Sequence, residues 1–518
     1  MAALLCGPAN LPPALAQNGL PALGDTASDD FNLGAERNLG DQIMRDIRRD
    51  PDYIDDPLLL EYLQSIWQPL VAAARVRGEI GADLDARFAY EPFLVRDRSV
   101  NAFALPGGYV GVHLGLIAMT ASRDELASVL AHEMTHVNQR HIARGFANSK
   151  KLSMVSIAAL ILGVLAASRS SNADAANAVI AGSQAANIQG QLNFSRDMER
   201  EADRIGFQVM TAAGFAPGGM AAMFDKLQQA SRLNDFGGFP YLRSHPLTTE
   251  RIGEARARLG TAQEGPSLVS AVGAISASPL EHTVAQARSR VLMDPRVDAL
   301  RRWQAQDGEI AASSVADKLA AAYESALAST LMRDWARADA SLHKAGELAR
   351  GSPRSDARTV RAVDLLVVQS ALERGDLRRA QTALAPHAGD LSRPVTMLAA
   401  QVALAAPVAK DGAPELRQAA EQLQTWVSTH PDDADAWGLL GRVWARVGQP
   451  LRALRAEAES RLALGDLTGA IDRLRAGQRL ARGGGAVDFI ESSVIDSRVR
   501  TLEAQRKRQV ADERGQGG

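Results

Sequence analysis

The sequence predicts a mainly α protein in two parts, an N-terminal α+β domain with a small sheet and a C-terminal α-helical repeat solenoid. Three observations carry this. At 518 residues the chain exceeds what one hydrophobic core usually serves. Apolar residues recur at helical spacing almost throughout, while one stretch, Phe88 to Val112, switches to the alternation of short strands. From about Asp317 the chain becomes rich in Ala, Leu and Arg and repeats a helical pair. The expected division is 1–30 as a leader, 31–260 as the first domain, 261–316 as a linker with connecting helices, and 317–510 as the repeat domain.

Residues 1–30 are rich in Ala, Leu, Pro and Gly, and Ala14-Leu15-Ala16 before Gln17 has the small-x-small form of a signal-peptidase site, so export is expected. A basic n-region is missing, which leaves either an upstream start or a disordered leader. Cys6 is the only cysteine and would leave with the leader, giving a mature chain with neither disulfide nor free thiol. Leu5 before Cys6 argues against a lipoprotein site. A net charge of -2 and a pI near 6.5 show no basic excess, so nucleic acid is not an expected partner.

From Phe31 to Ala74 the pattern is helical, with Leu39, Ile43 and Ile47 at i+4 spacing and a second apolar series from Leu58 to Ile66. Phe88 to Val112 reads as short strands around a turn at Pro106-Gly107-Gly108. Asn101, Ala102, Phe103, Ala104 and Leu105 are the candidate edge strand for holding an extended peptide by backbone hydrogen bonds; an ordinary structural hairpin is the alternative. Ser122 is an N-cap, Glu125 completes a capping box, and neither Pro nor Gly interrupts until Gly145, so the run from Ser122 to Asn138 reads as a helix. Leu152 to Ala167 is apolar and nearly uncharged but shorter than the roughly 20 residues that cross a bilayer. It is expected to fold over the site as a helical hairpin, with peripheral membrane contact as the alternative, followed by a Ser/Asn/Ala-rich loop over 168–187.

The chemistry centres on His132-Glu133-Met134-Thr135-His136. On a helix, Leu126, Leu130, Met134 and Val137 share one core-facing arc, and His132 and His136 lie together beside it. Two imidazoles four residues apart can bind one Zn²⁺, and Glu133 can reach a bound water as general base. A chance match with two solvated histidines is the alternative. A third ligand is sought in the helix opened by Ser195. There Glu199 shares a face with Ala202, Asp203, Gly206, Val209 and Met210, whereas Glu201 shares the opposite face with Arg204 and Gln208, which reads as solvated. Glu199 is therefore the expected ligand, and Asp203 the carboxylate that orients a ligand histidine. His245, in Ser-His-Pro, could reach the metal, either stabilising the tetrahedral intermediate or occupying the water's place, or could be a plain loop histidine. His113 and His141 have no supporting spacing and read as structural or solvated.

After a linker at Gly260–Ser267, poor in apolar residues and so expected to leave the first domain standing alone, the repeats follow. The clearest unit carries Trp437, Leu440, Gly441, Trp444, Gly448 and Ala453, the tetratricopeptide spacing. Gly375 with Ala380 and Gly465 with Ala470 repeat its turn and small packing residue, and Arg333 with Ala338 is a weaker copy. Such solenoids usually present a concave protein-binding surface.

His132-Glu133-x-x-His136, then Glu199-x-x-x-Asp203, preceded by Asn101-Ala-Phe-Ala-Leu-Pro-Gly-Gly and followed by Ser244-His-Pro-Leu-Thr-Thr-Glu-Arg-Ile, resembles the zinc metalloprotease family of the CAAX prenyl endopeptidases and the heat-shock membrane protease. The resemblance implies a gluzincin-like fold for the first domain, Zn²⁺ as cofactor, His132, His136 and Glu199 as ligands and Glu133 as base. Joined to a repeat solenoid, it further implies a periplasmic endopeptidase associated with the outer membrane, with a chaperone-like role. Its substrates would be misassembled outer-membrane β-barrel proteins and its partner their assembly machinery, reached through the repeats. The rival is a non-catalytic or latent adaptor with a structural zinc site, against which an intact Glu133 speaks.

Overall fold

The computed structural model describes residues 32–146, 158, 162–163, 195–233, 240–262, 279–306, 314–353, 356–407, 414–483 and 488–515. The expected leader, most of the apolar stretch 152–167 and the loop 168–187 lie outside them. The architecture is mainly helical with one small sheet, as the sequence predicts.

Helix α1, Leu33–Ile47, is capped by Asn32 and buries Leu39, Ile43 and Ile47, the three residues of the i+4 series. Helix α2, Pro57–Val76, starts on Asp56, whose side chain accepts from Leu59 N–H at 3.0 Å, with Pro57 in the first turn where its missing donor costs nothing. Between them Tyr53–Ile54 forms a two-residue strand, β1, too short to show a period in the sequence. Strands β2 (Glu91–Val95), β3 (Ala102–Leu105) and β4 (Tyr109–His113) complete a sheet of order β1-β2-β4-β3. The β2–β4 pair is parallel and the other two are antiparallel, so β3 is an edge. The turn between β3 and β4 uses Gly107 at φ 77, which a side chain would strain.

Helix α3 (Ala82–Arg87) precedes the sheet; among the described residues α4 (Leu114–Met119), α5 (Arg123–Asn138), α6 (His141–Phe146), α7 (Arg196–Ala212), α8 (Gly218–Leu233), a short α9 (Pro240–Ser244) and α10 (Thr249–Ala262) follow it. Helix α5 is the hub. It is buried on all sides, every residue except Asp124, rather than along one stripe, because α2, α7, α8 and β3 pack round it. Helix α7 comes closest: a Cβ at Gly206 would lie 3.1 Å from the backbone of Ala131 and His132, so only glycine admits this approach without a shift. The N-cap at Ser122 holds Glu125 N–H at 3.2 Å, but the carboxylate of Glu125 turns to Ala121 N–H and Lys226 instead of closing the expected box.

The repeats do not stand apart from this domain. Helix α11, Pro279–Leu292, falls within the expected linker segment, yet Ala285 enters the core of the first domain while Leu280, Val284, Ala287 and Val291 enter that of the solenoid. Its Arg288 makes a bidentate pair with Asp56 at 2.8 and 2.6 Å, both side chains buried. Its Glu281 receives Arg123, the first residue of α5, on one side and Arg358 of the solenoid on the other. Apolar residues beyond the Gly/Pro-rich stretch are thus shared between the two cores, which bears on the expectation of a self-sufficient first domain ending at Gly260. After α12 (Val297–Gln306) the solenoid runs through paired helices from α13 (Val315–Leu331) to a last helix at Phe489–Gly515. Its turns place Gly375, Gly448 and Gly465 at φ 79, 79 and 76, and Arg333 takes the same left-handed place at φ 59. The small residues after these turns, Ala338, Ala380, Ala453 and Ala470, are buried where paired helices meet. Among the described residues no helix is long and apolar enough to cross a membrane.

Candidate metal centre

Four side chains from three elements converge. His132 and His136 on α5, Glu199 on α7 and His245 just after α9 each offer one donor atom, and these lie within 4.8 Å of one another. The two Nε2 atoms are 3.0 Å apart; Glu199 Oε2 is 3.5 Å from His132 Nε2 and Oε1 is 3.5 Å from His136 Nε2. His245 Nδ1 is 2.8 Å from Glu199 Oε1 and 3.3 Å from His132 Nε2. Donors bound tetrahedrally at about 2.0–2.1 Å stand roughly 3.3 Å from each other, so this set fits a small cation.

The surroundings agree with a cation. All four residues are buried, as are Glu133 and Asp203. His132 Nδ1 sits 3.0 Å from Asp203 Oδ1, at ion-pair distance though off the line of a good hydrogen bond. Arg251 clamps Asp203 at 2.7 and 2.8 Å and reaches Glu199 Oε2 at 2.8 Å. Burial disfavours a charged His132, but Asp203 and Glu199 outweigh it and raise the imidazole to about 10: the site stabilises positive charge between these carboxylates. Burial also pushes Glu199 up, and His245 and His132 more than reverse this, holding it well below the usual carboxylate range.

Glu133 is wholly buried beside the cluster. Its Oε2 accepts from Ala104 N–H at 3.1 Å, while Oε1, 3.5 Å from His245 Nε2, has no hydrogen-bond partner among the described residues. Burial pushes its carboxyl up, with His245 and His132 pulling the other way. A carboxylate held by one oxygen and bare on the other can take a proton from a water at the cluster.

The candidate strand lies where Glu133 can meet it. His113 N–H donates to Asn101 carbonyl, so residues 101, 103 and 105 face β4 with their backbone groups, and Ala102 and Ala104 turn theirs outward. Ala104 N–H is taken by Glu133, and Val100 carbonyl accepts from Tyr241 N–H on α9 at 3.4 Å. Tyr241 stacks on His245 with ring centroids 4.6 Å apart. The segment 240–245 therefore covers both the cluster and one end of the edge strand.

Glu201 sits otherwise than expected, and His141 takes the structural rather than the solvated of its two readings. Glu201 is half-buried, bonded to His141 at 3.0 Å and to Arg144 at 3.1 Å, instead of facing solvent. His141 is buried against His136, Nδ1 to Nδ1 at 2.8 Å, and burial, opposed by Glu201, lowers it to about 4. The cause is local: α5 stops at Asn138, Arg140 takes φ 51, and Glu36 holds its guanidinium at 2.9 Å, so α6 starts in a new direction. On one continuous helix His141 would point away from His136. His113, by contrast, is buried in the sheet with Ser99 Oγ at 2.9 Å and is not part of the cluster.

A His-Glu-x-x-His helix with a carboxylate from a second helix and a bare glutamate beside them defines a metallopeptidase centre. Residues 59–259 match the model of peptidase family M48, so this stretch is a domain of that family. A Vibrio cholerae relative is 39% identical over 259 residues, 49% of this chain and 51% of its own, so that the match spans about half of that protein. The beta-barrel assembly-enhancing protease of Escherichia coli is 29% identical over 472 residues, 89% of this chain and 88% of its own. A mitochondrial metalloendopeptidase of Saccharomyces cerevisiae is 30% identical over 197 residues, 37% of this chain and 53% of its own.

Proposed function

We propose that this chain is a zinc-dependent endopeptidase of the periplasm that acts on misassembled outer-membrane β-barrel proteins, with a chaperone-like role alongside cleavage. The observation that carries the catalytic part is the convergence of His132, His136 and Glu199 beside the bare oxygen of Glu133. In this reading those three hold Zn²⁺, which when bound polarises the scissile carbonyl and acidifies water. Glu133 takes the water's proton on Oε1 and delivers it to the leaving amine. Asn101–Leu105 aligns the peptide by its outward backbone groups once 240–245 withdraws. Asp203 and Arg251 keep His132 and Glu199 in place. The repeats, residues 317–510, recruit the client or the β-barrel assembly machinery; the name of the Escherichia coli relative supports this part.

His245 supports a closed resting form of the same enzyme, because it supplies a fourth donor where a catalytic site needs an open position. The test has two arms on the full chain. Glu133→Gln should cut cleavage of an unstructured protein by about 10²–10⁴-fold while zinc stays near stoichiometric. His245→Ala should raise cleavage above wild type. Undiminished cleavage by Glu133→Gln would remove the mechanism; zinc bound without cleavage in every variant, His245→Ala included, would leave the adaptor reading.

A further inference from the structure

His136 is held from behind by a relay outside its motif, through His141 on α6 to Glu201 on the helix that also carries Glu199. Its Nε2 faces His132 and Glu199, the cation side, and its Nδ1 meets His141 Nδ1 at 2.8 Å. His141 Nε2 lies 3.0 Å from Glu201 Oε2, and that oxygen also receives Arg144 Nη1 at 3.1 Å. The hydrogens along this line are set by chemistry. An ionised carboxylate only accepts, so His141 carries its proton on Nε2 and leaves Nδ1 bare. A bare Nδ1 at 2.8 Å must accept, so His136 donates from Nδ1 and its own Nε2 is left with a lone pair, the form a cation requires.

The chain places this arrangement deliberately late. His141 reaches His136 only because Arg140 breaks the helix in the left-handed region, and Glu36 of α1 grips Arg140 to keep it there. On the other ligand, His132, a carboxylate is met directly at Nδ1; on His136 an imidazole is interposed before the carboxylate.

We infer that His141 is a positioning residue which, oriented by Glu201, fixes the tautomer and ring orientation of His136 for the metal. This rests on the metal-centre reading above. Outer groups of this kind typically set metal affinity by 10–100-fold.

The test measures zinc affinity of the full chain by competition with a chromophoric chelator, beside the thermal midpoint, for wild type, His141→Leu, His141→Gln and Glu201→Gln. His141→Leu keeps the buried volume and removes the acceptor, and should weaken zinc by about 10–100-fold. His141→Gln can accept from His136 with its amide oxygen and donate to Glu201 with its nitrogen, so it should recover most of that loss. Glu201→Gln should lose a smaller part, and decides the matter on its own if His141→Leu does not fold. Charging each protein with Co²⁺ should show shifted visible bands in His141→Leu and near-normal bands in His141→Gln. Wild-type affinity in His141→Leu with only a lowered midpoint, or a His141→Gln variant no better than His141→Leu, would make His141 a packing residue and overturn the inference. A wild type that takes up no stoichiometric zinc would overturn the metal-centre reading and this inference together, which separates the two failures.

Discussion

Both halves of the molecule bury a glutamate, and they treat it in opposite ways. Glu199 and Glu324 are each 2% exposed. Around Glu199 stand His132, His136, His245 and Arg251, and its carboxyl is held far below its ordinary range. Around Glu324, in α13 of the solenoid, Arg290 at 3.1 Å is the one counter-charge among the described residues, and burial wins, raising the carboxyl to about 7. Burial of a carboxylate does not make a site. What makes one is an excess of convergent donors and compensating charge, which the first domain assembles and the solenoid does not.

The sharpest way to break this comparison is Glu199→Gln, which removes a charged donor from the cluster. Zinc content and cleavage should both collapse, measured by metal analysis and peptide turnover; a variant that keeps its zinc would place the third ligand elsewhere. Next in size is Arg288→Ala, which leaves Asp56 buried without its partner where the two halves join. It should cost about 3–5 kcal/mol in chemical denaturation. Truncation after Gly260 removes the same partner with all of α11, and should fail to give a folded zinc protein.

Glu324→Gln probes the other member of the comparison. The folded carboxyl keeps its proton until about pH 7 and the unfolded one releases it near 4.5, so the folded state binds more protons between these values and stability falls as pH rises through them. The variant should therefore be more stable than wild type at pH 8, by on the order of 2–3 kcal/mol at most, and indistinguishable at pH 4. Paired melts at the two pH values check the sign. The smallest effect is expected at Arg333→Gly, which relieves a left-handed non-glycine turn and should stabilise by about 1 kcal/mol or less.

The legible parts of the centre were those with a period. His132, Glu133 and His136 follow from one helical face, and Glu199 and Asp203 from another, because i, i+3 and i+4 neighbours converge in any helix. The solvated reading of Glu201 fails, and the partnership of Glu201 with His141 has no sequence signal, for the same reason: it depends on Arg140 leaving the helix, and nothing in the residue types at 138–141 announces that, since the restraint comes from Glu36 a hundred residues earlier. The two-residue β1 is too short for a pattern, and although connecting helices are expected within 261–316, the sharing of α11 between two cores carries no sequence signal. In the solenoid the glycine turns and small residues were readable position by position, whereas its contacts with the first domain, such as Arg393 on Asp55, carry no sequence signal.

The bidentate pair between Asp56 and Arg288 also sets a clock. The two residues are 232 positions apart in a chain that emerges N-terminus first. At about 5–20 residues per second, roughly 10–50 s pass between the appearance of the aspartate and that of its arginine. Through that interval Asp56, which caps α2, waits without its counter-charge, and Arg123 at the head of α5 waits for Glu281. The helix that carries both histidines thus gains these supports only once residues 279–292 have been made, so the centre lacks them while the first domain alone has emerged.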